Sequence, residues 1–129
     1  MNKKGVALLL ALFTLIIISL LLLSFLELAT TDLQIVSNHL TRDEALYTAE
    51  AGVEDAIVRL RNTKLDFTSG PIEFPSGAGN TYNVTYSSSS GKITSVGRRG
   101  SAEAVTLEVK VSVTDSRPYK VKIIYYREL

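Results

Sequence analysis

The residues able to carry chemistry are few, and their spacing is poor for it. His39 is the only histidine and there is no cysteine. Thiol catalysis, a Ser-His couple and a Cys/His metal cluster are therefore close to excluded, and His39 reads as a solvated or interface ring among polar neighbours. The carboxylate pairs Asp43–Glu44 and Glu54–Asp55 would suit general acid–base work if they converged. Adjacent positions on a helix diverge by roughly 100°, so neither pair resembles catalytic carboxylates. The run GRRG from Gly97 to Gly100 follows one short strand and enters another, whereas a phosphate-cradling loop opens a helix. Arg98 and Arg99, with Lys92 and the strand residues Tyr82 and Tyr86, would make at best a weak contact to anions or single-stranded nucleic acid. A solvated hairpin tip is the simpler reading. Asn83-Val84-Thr85 matches a glycosylation acceptor, a pattern that arises often by chance. The sequence thus supplies no catalytic, cofactor-binding or metal-binding set, and the expectation is a protein that is not an enzyme and needs no cofactor.

The elements that such residues would need are easier to read. From Val6 to Leu26 no residue is charged, and as a helix this run is about 31 Å long, enough to cross a bilayer core of about 30 Å. It is too long for a signal-peptide core, and ELATTD after it is a poor cleavage site. Lys3 and Lys4 precede the run, and no base follows until Arg42. The positive-inside rule then leaves the N-terminus cytoplasmic and the remainder extracytoplasmic, on a single-pass anchor.

Net charge is +1, which argues against nucleic acid as a partner without eliminating it. Residues 27–62 carry seven acids against three arginines, and residues 63–129 carry nine bases against six acids. An acidic stem therefore precedes a basic head. Residues 27–62 lack proline and contain one glycine, Gly52, and read as a continuation of the helix. Ala45, Leu46, Ala49, Gly52, Val53, Ala56, Ile57 and Leu60 fall within an arc of about 140°, a stripe suited to close packing on a sheet. Ala29, Leu33, Val36, Leu40, Tyr47, Ala51 and Val58 form a second stripe within about 60° on a largely opposite face. That stripe suits packing on other helices, and so long a helix makes sense only with neighbours along it.

Residues 63–80, rich in glycine, proline and turn formers, read as an irregular connector. Residues 81–129 then read as a small head. Thr81–Ser87 alternates, Lys92–Val96 is a weaker strand, and Gly97–Ser101 a turn. Val105, Leu107, Val109, Val111 and Val113 alternate with polar residues in the strongest strand pattern of the chain. Tyr119–Tyr126 is the last strand, and the closing IIYYREL reads more readily as internal than as an edge that completes a neighbour's sheet. Short turns imply antiparallel neighbours. The expected fold is α+β, a long N-terminal helix, membrane-spanning in its first half and amphipathic in its second, packed on a three- or four-stranded antiparallel sheet.

Together, KKGVALLLAL, the long apolar helix and RDEALYTAEAGVEDAI (Arg42 to Ile57) resemble the N-terminal region of type IV pilin-like proteins, most closely minor pilins of the PilX type. The resemblance covers about the first 62 residues. It implies a leader, residues 1–5, that prepilin peptidase removes after Gly5, and N-methylation of the new terminus at Val6. It also implies retention of helix 6–26 in the membrane lipid before assembly and in a filament core afterwards, on the pilus or cell surface. The partners implied are other pilin subunits, prepilin peptidase and the inner-membrane pilus assembly machinery. Two departures favour a minor subunit: Leu10 stands where major pilins carry a glutamate, and no proline breaks the segment. A secretion-system pseudopilin, or a plain single-pass anchor with an extracytoplasmic binding domain, are the alternative readings.

Overall fold

A computed structural model describes residues 2–101 and 104–129. Met1, the first residue of the expected leader, lies outside the described residues. The chain forms one helix, α1 (Lys3–Asn62), and five strands: β1 (Phe67–Glu73), β2 (Asn80–Ser87), β3 (Lys92–Arg99), β4 (Ala104–Val113) and β5 (Val121–Glu128). Two compact units are distinguished, one ending at Asn38 and one running from His39 to Leu129.

In the first unit every described side chain is exposed, including the whole uncharged run. Its few hydroxyls are satisfied within the helix: Ser19 Oγ donates to the Leu15 carbonyl (2.8 Å) and Ser24 Oγ to that of Leu20 (3.1 Å). Such back-bonding removes the need for an outside partner in an apolar surrounding. The helix is long and apolar enough to cross a membrane.

In the second unit the strands follow one another across the sheet as an antiparallel meander, β1-β2-β3-β4-β5. The sheet has five strands rather than three or four. The additional one, β1, lies inside the stretch that composition marks as a connector. Its weak alternation is broken by a bulge between Ser69 and Ile72, where Gly70 and Pro71 sit, so no period-2 signal survives in the sequence. β3 extends to Arg99, through the residues expected to turn. Gly91 makes the β2–β3 hairpin possible: its positive φ of 64° suits a residue without Cβ, and its N–H bonds the Ser87 carbonyl at 2.9 Å.

The core lies between one face of the sheet and one face of the helix. Ala45, Ala49, Gly52, Val53, Ala56, Ile57 and Leu60 are all buried. They meet Tyr82, Val84, Tyr86, Ile93, Val105, Leu107, Val109 and Val111 in a single apolar cluster. Small helix residues let the sheet approach the helix main chain. At Gly97 an added Cβ would overlap the Ala45 carbonyl oxygen and the Ala49 nitrogen. Two residues earlier in the same strand, Ser95 Oγ is fully buried and donates to the Ala49 carbonyl at 2.7 Å. This bond satisfies a hydroxyl that burial would otherwise penalise, and it fixes the register of helix on sheet. The helix ends at Asn62, with Arg59 and Arg61 in its last turn, where cations complement the macrodipole.

Candidate functional site

Strand alternation divides the head's polar residues between two faces. Tyr82 and Tyr86 face the helix and are 6% and 4% exposed. Lys92 and Arg98 fall on the opposite parity, paired with Ser87 and Thr81. The constellation of basic residues and tyrosines imagined at the hairpin tip is therefore not brought together. Burial raises the pKa of both tyrosines, with Asp55 adding to the effect at Tyr82. Arg99 instead turns back to the helix and pairs with Glu44 at 2.9 Å.

The adjacent carboxylates diverge as the helix geometry requires. Glu44 goes to Arg99, and Asp55 pairs with Arg59 one turn on at 3.0 Å. His39 is exposed. Among the described residues no group of three or more His, Asp or Glu converges to hold a metal.

Sequence reading missed the polar cluster on the sheet's outer face. Glu108 is 8% exposed in the middle of β4. Its carboxylate accepts from the Tyr125 hydroxyl at 2.8 Å and Lys92 Nζ at 3.2 Å, and it pairs with Arg127 at 2.7 Å. The bonds from Tyr125 and Lys92, with the Arg127 charge beyond them, hold Glu108 below the usual carboxylate range. Reciprocally, Glu108 raises Lys92. The cluster ties β3, β4 and β5 together and offers no free group for chemistry. Its only sequence signal is a glutamate on the polar parity of a strong strand; its partners come from strands whose register is invisible locally.

β5 is an edge strand, not an internal one. The strand is held down at one end by Glu128, which pairs with Arg42 at 2.6 Å. Tyr126 leans toward the helix, where its hydroxyl donates to Glu50 at 3.4 Å. Burial of the phenol, then the Glu50 charge, pushes its pKa up to about 12.

The residues of the second helical stripe are exposed apolar groups. Leu33 (69%) and Val36 lie in the first unit, and Leu40, Tyr47 (67%) and Val58 in the second. Ala51 is half-buried and packs against the core. Gly5 and Val6 lie in the helix and are exposed, with nothing within 4 Å of a Cβ built on Gly5. Comparison of the chain with protein-family models, curated proteins and solved structures finds no match.

Proposed function

We propose that this chain is a structural minor pilin, a subunit built into or priming a type IV pilus-like filament after prepilin peptidase cuts behind Gly5. The observation that carries the reading is the pairing of two opposite surface characters on one helix. Residues 6–26 form an apolar surface that is exposed throughout, and Ala45 to Leu60 form a buried, Ala/Gly-rich face beneath a small sheet. An exposed hydrocarbon-like surface needs lipid before assembly and other helices afterwards. Leu33, Val36, Leu40, Tyr47 and Val58 continue that apolar character along the helix, where a neighbouring stem would cover them. Ala51 contributes at the margin of the same face.

In this reading Val6 becomes the methylated terminus and the head faces the medium. The work of the protein is assembly, with no reaction to catalyse. Leu10 leaves the new amino terminus without a carboxylate from its own segment, so a neighbouring subunit's glutamate or a place at the filament end must meet that charge.

The test is intact mass and N-terminal sequencing of membrane-extracted protein from cells with and without prepilin peptidase. A chain starting at Val6, carrying a methyl group and appearing only with the peptidase, is the expected result. A chain starting at Met1 in both strains would reduce the protein to a plain membrane-anchored domain. Gly5→Ala is expected to block processing.

A further inference from the structure

Both edge strands are bulged, β1 between Ser69 and Ile72, and β5 at Ile124, the extra residue opposite the step from Lys110 to Val111. Bulges blunt an edge against further pairing. The surface left for a partner is the outer face of the sheet, on the side away from the helix.

Register lays that face out in rows across the strands. One row carries Thr68, Thr85 and Thr94 and ends at Glu108 and Arg127. The next sets Lys92 directly opposite Lys110, and Lys122 stands one row further on, opposite Ser112. Neighbouring strands lie about 4.8 Å apart and same-face neighbours along a strand about 6.8 Å, so threonines and lysines share one continuous patch.

Charge on the patch is one-sided. The outer face of β3, β4 and β5 carries Lys92, Arg98, Lys110, Lys122 and Arg127 against a single acid, Glu108. Glu108 is already shared among Lys92, Arg127 and the Tyr125 hydroxyl. Lys110 and Lys122 have no ionic or hydrogen-bonding partner among the described residues. Like charges directly opposite one another on a sheet are destabilising, and Lys92 and Lys110 add nothing to the core. An anion on this face would remove the repulsion.

The neighbouring side chains decide which anion fits. Single-stranded nucleic acid needs aromatic faces for successive bases. These rows offer one ring, Tyr125, which Arg127 covers at 5.7 Å and whose hydroxyl is held by Glu108. A lipid surface needs apolar side chains to insert, and these rows hold none. Beside the lysines stand instead the hydroxyls of Thr68, Thr85 and Thr94, which have no hydrogen-bonding partner among the described residues. Each can donate to and accept from a sugar hydroxyl.

We propose that the outer face of the sheet binds an acidic polysaccharide, with its carboxylates on Lys110 and Lys122 and its hydroxyls along Thr85 and Thr94. This inference goes beyond the filament reading and does not rest on it. The test uses full-length protein in nanodiscs of zwitterionic lipid. Fluorescein-labelled decamers of galacturonate and of mannuronate are the probes, followed by fluorescence anisotropy. Saturable binding of one or both is expected, at least about tenfold weaker for the methyl-esterified decamers and for an oligothymidylate of the same length. The double variant Lys110→Gln, Lys122→Gln is expected to weaken binding about tenfold, with melting temperature unchanged or raised. Thr85→Val with Thr94→Val keeps the β-branched shape. It is expected to weaken uronate binding about threefold or more and to leave oligothymidylate binding unchanged. No saturable uronate binding, equal or tighter oligothymidylate binding, or binding indifferent to the lysine variant overturns the proposal. Indifference to the threonine variant overturns it too, by reducing the face to a general anion patch.

Discussion

The contact between Gly97 and the helix main chain predicts a large cost for one methyl group. In Gly97→Ala the new Cβ would overlap the Ala45 carbonyl oxygen and the Ala49 nitrogen, and would lie 2.9 Å from Ala49 Cβ. Overpacking a core costs about 1–3 kcal/mol when side chains can move aside. Here the obstructing atoms belong to the helix backbone, so the helix must retreat from β3. Retreat weakens the buried Ser95–Ala49 bond and opens the seam around Ala45 and Ala49, placing the cost at about 3 kcal/mol or more. Against a total stability of about 5–15 kcal/mol this is a large fraction. For a domain of this size it corresponds to a fall in Tm of about 12–24 °C. The assay is thermal unfolding of the full chain in micelles, followed by near-ultraviolet circular dichroism, which reports the packing of Tyr82 and Tyr86. Gly70→Ala is the control: nothing lies within 4 Å of its added Cβ, and a change within about 0.5 kcal/mol is expected. A Gly97→Ala variant melting within about 4 °C of the parent would refute the close approach of helix and sheet.

The same assay checks three further expectations. Leu107→Ala empties a fully buried position and should cost about 2–5 kcal/mol, whereas a loss under about 1 kcal/mol would deny it a place in the core. Glu108 titrates below its ordinary range when folded, so its contribution is complete above its unfolded pKa and is lost as pH falls through the folded value. Glu108→Gln should therefore flatten the decline of Tm between about pH 5 and pH 3, and an unchanged slope would show that the cluster does not hold the strands together. Tyr126 titrates above its ordinary range, at about 12, so its contribution is complete below the unfolded pKa of about 10 and is lost as pH rises through the folded value. Tyr126→Phe should remove the slowest-titrating component of phenolate absorbance and shallow the alkaline loss of stability. A parent chain whose tyrosines all titrate near 10 would contradict the contact with Glu50.

Much of the architecture was legible because it is written in periodicities. The stripe from Ala45 to Leu60 follows the 3.6-residue repeat, and the valines of β4 follow the two-residue repeat, so both buried faces could be read from spacing alone. β1 was not legible, because Gly70 and Pro71 interrupt the alternation and composition there speaks for a loop. Nor was Gly97, whose neighbours in GRRG suggest a turn. Its role in the strand is to let a helix distant in sequence pass close by, a demand that leaves no local signature. Tyr82 and Tyr86 were read as β residues, but their face could be assigned only once the helix lay on one side of the sheet.

The sequence by itself determined the local elements: an uncharged helical run, an Ala/Gly-rich helical face, and alternating strands joined by short turns. These depend on side-chain chemistry repeated at fixed spacing along the chain. Only the tertiary structure decided the order and edges of the sheet, the gathering of Lys92, Glu108, Tyr125 and Arg127, and the exposed edge at β5. Those depend on strand register, and register is set by the sum of many distant contacts, to which no single stretch of sequence has access.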